Sequence, residues 1–434
     1  MLPGPVPEFS LSAEWVLPVV GEPIYRGAVL IRDGQIVKVG PRDAVKESSG
    51  AVRRIDLGNV ALLPGLVNAH THLELTRFRG RFEDLDFLAW IRRLTAEKET
   101  LAADDFLASA RQGASEAIRS GVTTVGDCSS SGQVTRAISE VGLRGVVYQE
   151  VFGPEDSRCE AAMEGLCAEL DRQGPIASQL VRLGVSPHAP YTVSERLFRA
   201  VARLALDRGL PVAVHAAESR AEGLLIRQGA GPMADRLRNR GIPWQAPGLS
   251  PIRYLSWTGL LAARPLLIHA IDIDGRDLDL LRDSGSSVVH CPKSNAKLCH
   301  GTAPLLEMLE AGVRVGLGTD GAVSNNNCDL FEEARFAVLA QRARADAPRR
   351  GLESLDARAA LRLLTLGGAA TLGLEEVIGS IECGKRADLI AVDLSRLQHA
   401  ADAEPESAMV FSASAGDVVF TMVDGQVLWG RSCG

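Results

Sequence analysis

The chain has 434 residues, 46% of them hydrophobic and 23% charged, with a formal net charge of -7. That length exceeds one ordinary domain and fits a β/α barrel with a small domain attached. The mild negative charge argues against nucleic acid or a membrane as the main partner. The eight cysteines include no Cys-x-x-Cys pair and read as reduced thiols, not as a disulfide frame or a thiolate metal site.

The N-terminus shows no basic leader, and Trp15–Val20 is too short for a signal core or a membrane span, so a cytoplasmic location is expected. Residues 8–62 alternate apolar and polar in short runs. Ala28–Gly40 has a hairpin pattern with Asp33-Gly34 as its tight turn, and Val418–Gly430 repeats the device around Asp424-Gly425. Ala387–Asp393 supplies a further strand. Isolated hairpins are rarely stable, so residues 1–62 and 376–434 are expected to share one small β-sandwich domain.

Between them, in residues 63–375, short β-rich runs alternate with helical stretches such as Ser194–Arg208 and Leu305–Ala311. The strand candidates are Leu62–His70, Gly121–Cys128, Leu143–Val151, Val181–His188, Pro211–His215, Pro265–His269, Ser286–His290 and Arg314–Thr319. Eight β-then-α units in series predict an α/β fold, a parallel (β/α)8 TIM-type barrel. The longest irregular piece is Gly229–Pro251, where Gly231-Pro232, Pro243 and Pro247-Gly248 should break any helix. A loop of that length is expected to be a lid or a substrate contact.

His70 and His72 are separated by one residue. On a strand, i and i+2 share a face, so their imidazoles converge on one point, as a bound metal ion requires. Six of the eight histidines (His70, His72, His188, His215, His269 and His290) fall at or just beyond the C-terminal ends of predicted strands. In such barrels that face carries the active site. Glu218 lies three residues beyond His215, which places a proton carrier beside a ligand. Asp320 closes the eighth strand between glycines, and His269 faces the same centre from the sixth.

These residues resemble the amidohydrolase superfamily, in its branch of deaminases and chlorohydrolases acting on amino-substituted heterocycles. The resemblance spans nearly the whole chain through Pro64–His72, Ser186–Tyr191, His215–Glu218, His290–Asn295, Gly318–Gly321 and Gly379–Leu389. It implies one divalent metal ion held by His70, His72, His215 and Asp320, zinc by preference, with iron(II) and manganese(II) as alternatives. It also implies Glu218 as the proton shuttle and His269 as the polariser of the attacking water. Two-metal members bridge their ions with a carbamylated lysine from strand four. This chain has no lysine between Lys98 and Lys293, so a one-metal site is expected.

By this reading hydroxide attacks a ring carbon that bears an amino group, and protonated Glu218 delivers a proton to the adjacent ring nitrogen. Asp320 and His269 relay protons until ammonia leaves. Amide hydrolysis or loss of chloride would use the same parts, so the ligands do not name the substrate. Glu74, Trp90, His188, Ser294 and Asn295 are the candidate substrate contacts.

The His70–Glu74 run, the Phe87–Trp90 segment and the Pro/Gly-rich loop before Ser250 resemble aminodeoxyfutalosine deaminases of the alternative menaquinone route. Deaminases of S-adenosylhomocysteine or methylthioadenosine and s-triazine hydrolases share most of these features. Guanine deaminases and imidazolone-ring hydrolases fit less well around His72. A non-catalytic barrel would have lost ligands, and none is missing. The expected partner is therefore a small-molecule amino-heterocycle substrate; a homodimer stays open.

Overall fold

The computed structural model describes residues 8–45, 53–344, 355–397 and 404–431. Five strands open the chain: β1 (Glu8–Val16), β2 (Ile24–Arg32), β3 (Gln35–Pro41), β4 (Arg53–Asp56) and β5 (Val60–Pro64). The next eight are β6 (Leu66–Thr71), β7 (Val122–Ser129), β8 (Arg144–Val151), β9 (Val181–Pro187), β10 (Ala213–Ala216), β11 (Leu266–His269), β12 (Ser287–His290) and β13 (Arg314–Leu317). Three more close the chain: β14 (Leu389–Asp393), β15 (Val418–Val423) and β16 (Gln426–Gly430).

Strands β6 to β13 form the barrel as two parallel four-stranded sheets, β6-β7-β8-β9 and β10-β11-β12-β13. One seam is closed by a bridge between Val185 and Val212. The other is closed where the Asp320 N–H donates to the His70 carbonyl at 3.0 Å. Val67, Val146, Tyr148, Leu266, Val289 and Leu372 belong to one buried cluster, separate from the larger layer packed between strands and helices. Two apolar layers, one inside the ring and one outside, are what a closed β/α barrel buries.

The remaining eight strands form one sheet in the order β16-β15-β14-β5-β1-β2-β3, with β4 beside β1. The expected sandwich is thus a single hydrogen-bonded sheet. Leu11 and Ile31 share a core with Leu389 and Met422, although they lie on strands well apart in that order. The two predicted turns meet: Asp33, Gly34, Asp424 and Gly425 all have positive φ, the geometry of tight hairpin turns. A Cβ built on Gly425 would lie 2.5 Å from the Gly34 Cα, so only glycine fits there.

Two expectations need correction. The run Leu62–His70 is two strands in two different sheets, parted at Gly65, whose missing side chain leaves room for Thr123. The stretch Gly229–Pro251 is not loop throughout, because Pro232–Asn239 is a helix. Proline opens it at a position where its missing N–H costs nothing. The next helix, Pro251–Trp257, begins the same way under a Ser250 cap.

Among the described residues no helix is long and apolar enough to cross a membrane. Seven cysteines are free thiols, and Cys433 lies outside the described residues.

Candidate active site

The C-terminal ends of β6, β10, β11 and β13 bring His70, His72, His215, His269 and Asp320 together. His70 and His72 rings lie 4.8 Å apart, and His215 is 5.0 Å from the first and 5.5 Å from the second. Asp320 Oδ1 sits 3.3 Å from His70 Nε2 and 3.6 Å from His72 Nε2.

His72, His215 and Asp320 are held from behind. His72 Nδ1 donates to the Cys128 carbonyl at 2.7 Å, and His215 Nδ1 donates to the His188 carbonyl at 3.1 Å. A carbonyl only accepts, so both rings carry their proton on Nδ1 and turn a lone pair on Nε2 toward the centre. The second Asp320 oxygen accepts from Ser294 Oγ at 2.6 Å and Ser324 Oγ at 2.8 Å.

The backbone is strained where it carries these groups. Ala217, His269, Ala270 and Asp320 all have positive φ, which costs a non-glycine residue about 1–2 kcal/mol. Gly318 lets β13 approach β6: a Cβ there would lie 2.8 Å from the His70 nitrogen.

The donor set fits a cation. His70, His72 and Asp320 offer ligand atoms within 4.8 Å of one another, and so do His70, His215 and His269. His70 Nε2 is buried without a hydrogen-bond partner, which is costly unless something accepts its lone pair. Burial pushes the His70 imidazole down to about 4 and that of His215 well below its usual value. Both stay neutral at pH 7 and ready to ligate. Strand β9 carries no lysine.

Beside this cluster lies Glu218. Its Oε1 is 3.7 Å from His269 Nε2 and 3.6 Å from His300 Nε2, while Oε2 accepts from the Tyr191 hydroxyl at 2.9 Å. Burial alone would raise its carboxyl, but the two imidazoles and Tyr191 outweigh it and hold the group at about 2. These neighbours favour the ionised form, in which the group can take a proton before it gives one. Behind it, Glu222 accepts the backbone N–H groups of Ala217 and Glu218 at 2.9 and 2.8 Å.

A cavity of about 490 Å³ opens over the cluster, lined by His72, His188, His215, Glu218 and Asp320 on one side. Phe87, Trp90, Ile91, Leu94 and Lys98 face it from the Phe87–Lys98 helix, at helical spacing.

Three of the candidate contacts do not line it. Glu74 accepts from Ser129, Ser130 and Ser131 and lies 3.6 Å from Lys98 Nζ. After His72 the chain turns into a 3-10 segment, Leu73–Phe78, which carries Glu74 into the wall, where those donors satisfy it. Ser294 supports Asp320, and Asn295 Oδ1 accepts from His269 Nδ1 at 2.8 Å. Both brace the cluster from behind.

The sequence alone gave no role to Tyr191 or Glu150. Glu150, near the end of β8, lines the cavity with a buried Oε1 that has no hydrogen-bond partner, 4.0 Å from His188 Nε2. Its signal was a carboxylate at a barrel strand's C-terminal end.

Residues 61–428 match the amidohydrolase family. A 5-methylthioadenosine/S-adenosylhomocysteine deaminase of Desulforudis audaxviator is 33% identical over 416 residues, covering 95% of this chain and 91% of that protein. Among solved structures, an adenosine deaminase from Xanthomonas campestris with bound zinc superposes with a TM-score of 0.85 at 28% identity, covering 98% and 94% of the two chains. The Helicobacter pylori aminofutalosine deaminase in complex with methylthio-coformycin shares the fold, with a TM-score of 0.80 at 21% identity over 96% and 99% of the two chains.

Proposed function

Because the chain belongs to the amidohydrolase family, we propose that it is a one-metal aminohydrolase that deaminates an adenine-type nucleoside with a bulky 9-substituent. Aminodeoxyfutalosine is the leading candidate. The observation that carries the reading is Glu218, a buried carboxyl between two imidazoles and a tyrosine hydroxyl, beside His70, His72, His215 and Asp320 on the floor of a large cavity.

His70, His72, His215 and Asp320 would hold the ion, zinc by the chemistry of the donor set. When bound, such an ion supplies Lewis-acid activation of water, lowering its pKa from 15.7 to about 7. The chain's own groups do the rest. His269, fixed by Asn295, orients the attacking water toward the ring carbon that bears the amino group. Glu218 takes one proton from that water and passes it to the adjacent ring nitrogen. Asp320 and His269 move the second proton to the leaving amine as the carbon–oxygen bond replaces the carbon–nitrogen bond and ammonia departs.

Trp90 caps the ring, and Glu150 with His188 offers an acceptor and an imidazole to its polar edge or to the ribose. The size of the cavity supports a nucleoside over a free base, since remote contacts position the reacting ring.

A second reading, a 5′-methylthioadenosine or S-adenosylhomocysteine deaminase, is favoured by the names of the curated relatives at 33 and 34% identity. Ammonia release and the adenine-to-hypoxanthine absorbance shift, followed over these nucleosides and free adenine, test both. Turnover of adenine far above every nucleoside would refute the bulky-substrate reading. Absence of ammonia from every amino-heterocycle would refute the deaminase itself.

A further inference from the structure

The helix Pro232–Asn239 is anchored by Met233 and Leu237, which are 3% and 5% exposed. Arg236 and Arg240 follow them three residues on, forming a parallel stripe at i and i+4. Both arginines line the main cavity. Both also line a side cavity of about 60 Å³ beside it, which shares Tyr191 and Thr192 with the main one. Tyr191 fixes the inner end of this path, because its hydroxyl reaches Glu218. The walls of the side cavity are otherwise apolar: Leu88, Ile91, Met233 and Leu237.

The arginines are poorly compensated. Arg240 has its nearest carboxylate, Glu155, at 3.9 Å, and among the described residues no ion pair to Arg236 is seen. Burial, then the like charges of Arg240 and Arg92, depress the half-buried Arg236 guanidinium. Like charges gathered at one end of a ligand cavity repel one another, and a bound anion relieves that repulsion.

Resting on the deaminase reading, we propose that Arg236 and Arg240 form an anion subsite. The substrate then carries a carboxylate or phosphate on an apolar arm, at the end remote from the amino-heterocycle. A guanidinium fork suits either anion bidentately, and the apolar walls suit the arm that bears it.

The test is a comparison of kcat/KM for three adenine nucleosides on the metal-loaded enzyme. These are 5′-methylthioadenosine (neutral), 5′-carboxyethylthioadenosine (a carboxylate on the same thioether arm) and adenosine 5′-monophosphate. Wild type should favour at least one anionic nucleoside about tenfold or more over the neutral one, with the preference shrinking as salt rises. Which anion gains identifies carboxylate or phosphate as the natural group. Arg236→Gln, Arg240→Gln and the double variant should each lower the anionic-to-neutral ratio, the double by about tenfold or more. The neutral substrate serves as the internal control for folding.

Arg238→Gln, on the same helix but paired with Asp235 at 2.7 Å, should leave the ratio unchanged. An unchanged ratio in the double variant, or a wild-type preference for the neutral nucleoside, would overturn the subsite while leaving the deaminase reading intact. If no amino-heterocycle is deaminated, S-adenosylhomocysteine and aminodeoxyfutalosine included, the deaminase reading fails and the subsite falls with it.

Discussion

In the proposed shuttle role, Glu218 depends on neighbours that bias its charge. The imidazoles of His269 and His300 and the hydroxyl of Tyr191 favour its ionised form, against the burial that favours the neutral one. Glu218→Gln keeps the shape but removes the proton carrier, so it should retain its metal and lose about 10²–10⁴-fold in kcat. His215→Ala should instead lose the metal. Elemental analysis beside ammonia-release kinetics separates the two, and near-normal turnover in Glu218→Gln would remove the shuttle role.

Glu222 behaves in the opposite way, since burial, with the Glu218 charge adding to it, pushes its carboxyl up to about 8 from an ordinary 4.5. The folded chain therefore holds this proton more tightly than the unfolded chain does. Its contribution to stability is complete below pH 4.5 and is lost as pH rises through 8. Unfolding free energy from urea titrations should fall across that window by up to about 1.4 kcal/mol per pH unit for this group. Glu222→Gln should flatten the fall. Glu333, also pushed up to about 8 by burial, keeps part of the slope in the variant.

At the scale of elements, the Phe87–Lys98 helix forms one wall of the cavity and starts on an Asp86 cap that accepts the Ala89 N–H. Trp90→Ala should open that wall. KM for a nucleoside should rise about tenfold with a smaller change in kcat, because the ring loses binding that is equal in ground and transition states. A fall in kcat with KM constant would instead place Trp90 in the chemistry.

The barrel strands and their terminal histidines were legible because strand period and C-terminal placement are local properties. Glu74 was misplaced for the opposite reason. Its partners, Ser129 to Ser131, lie more than fifty residues away, and nothing around His72 announces them. The Pro232–Asn239 helix was hidden because proline breaks helix interiors yet opens helix first turns. Only its tertiary anchors, Met233 and Leu237, decide between the two. Glu150 sat in plain view at a strand end, but its unpaired oxygen is visible only in three dimensions.

At the scale of the whole molecule, barrel and outer sheet are locked by Arg144, at the start of β8. Its guanidinium binds both oxygens of Asp388 at 2.7 and 3.0 Å and reaches Asp424 at 3.2 Å. The Arg144 and Asp388 side chains are only 5% and 1% exposed, so removing one partner strands a buried charge. Asp388→Ala should cost about 3–5 kcal/mol, whereas replacing both partners with apolar residues of similar volume should cost much less. Urea unfolding of the single and double variants measures the difference. Equal losses in both would show that packing at the junction matters more than the stranded charge.

The pairing of β5 with β14, which aligns Val60 with Asp393, has a consequence for how the protein is made. A ribosome releases the opening strands long before their neighbours exist. Through most of synthesis β5 presents an unfilled edge of backbone donors and acceptors, the template on which nascent chains aggregate. The barrel can close in the meantime, but the outer sheet cannot be completed until the final strands emerge. Protection of that waiting edge, by a chaperone or by the barrel's own surface, should therefore limit the yield of folded enzyme more than the stability of the finished fold does.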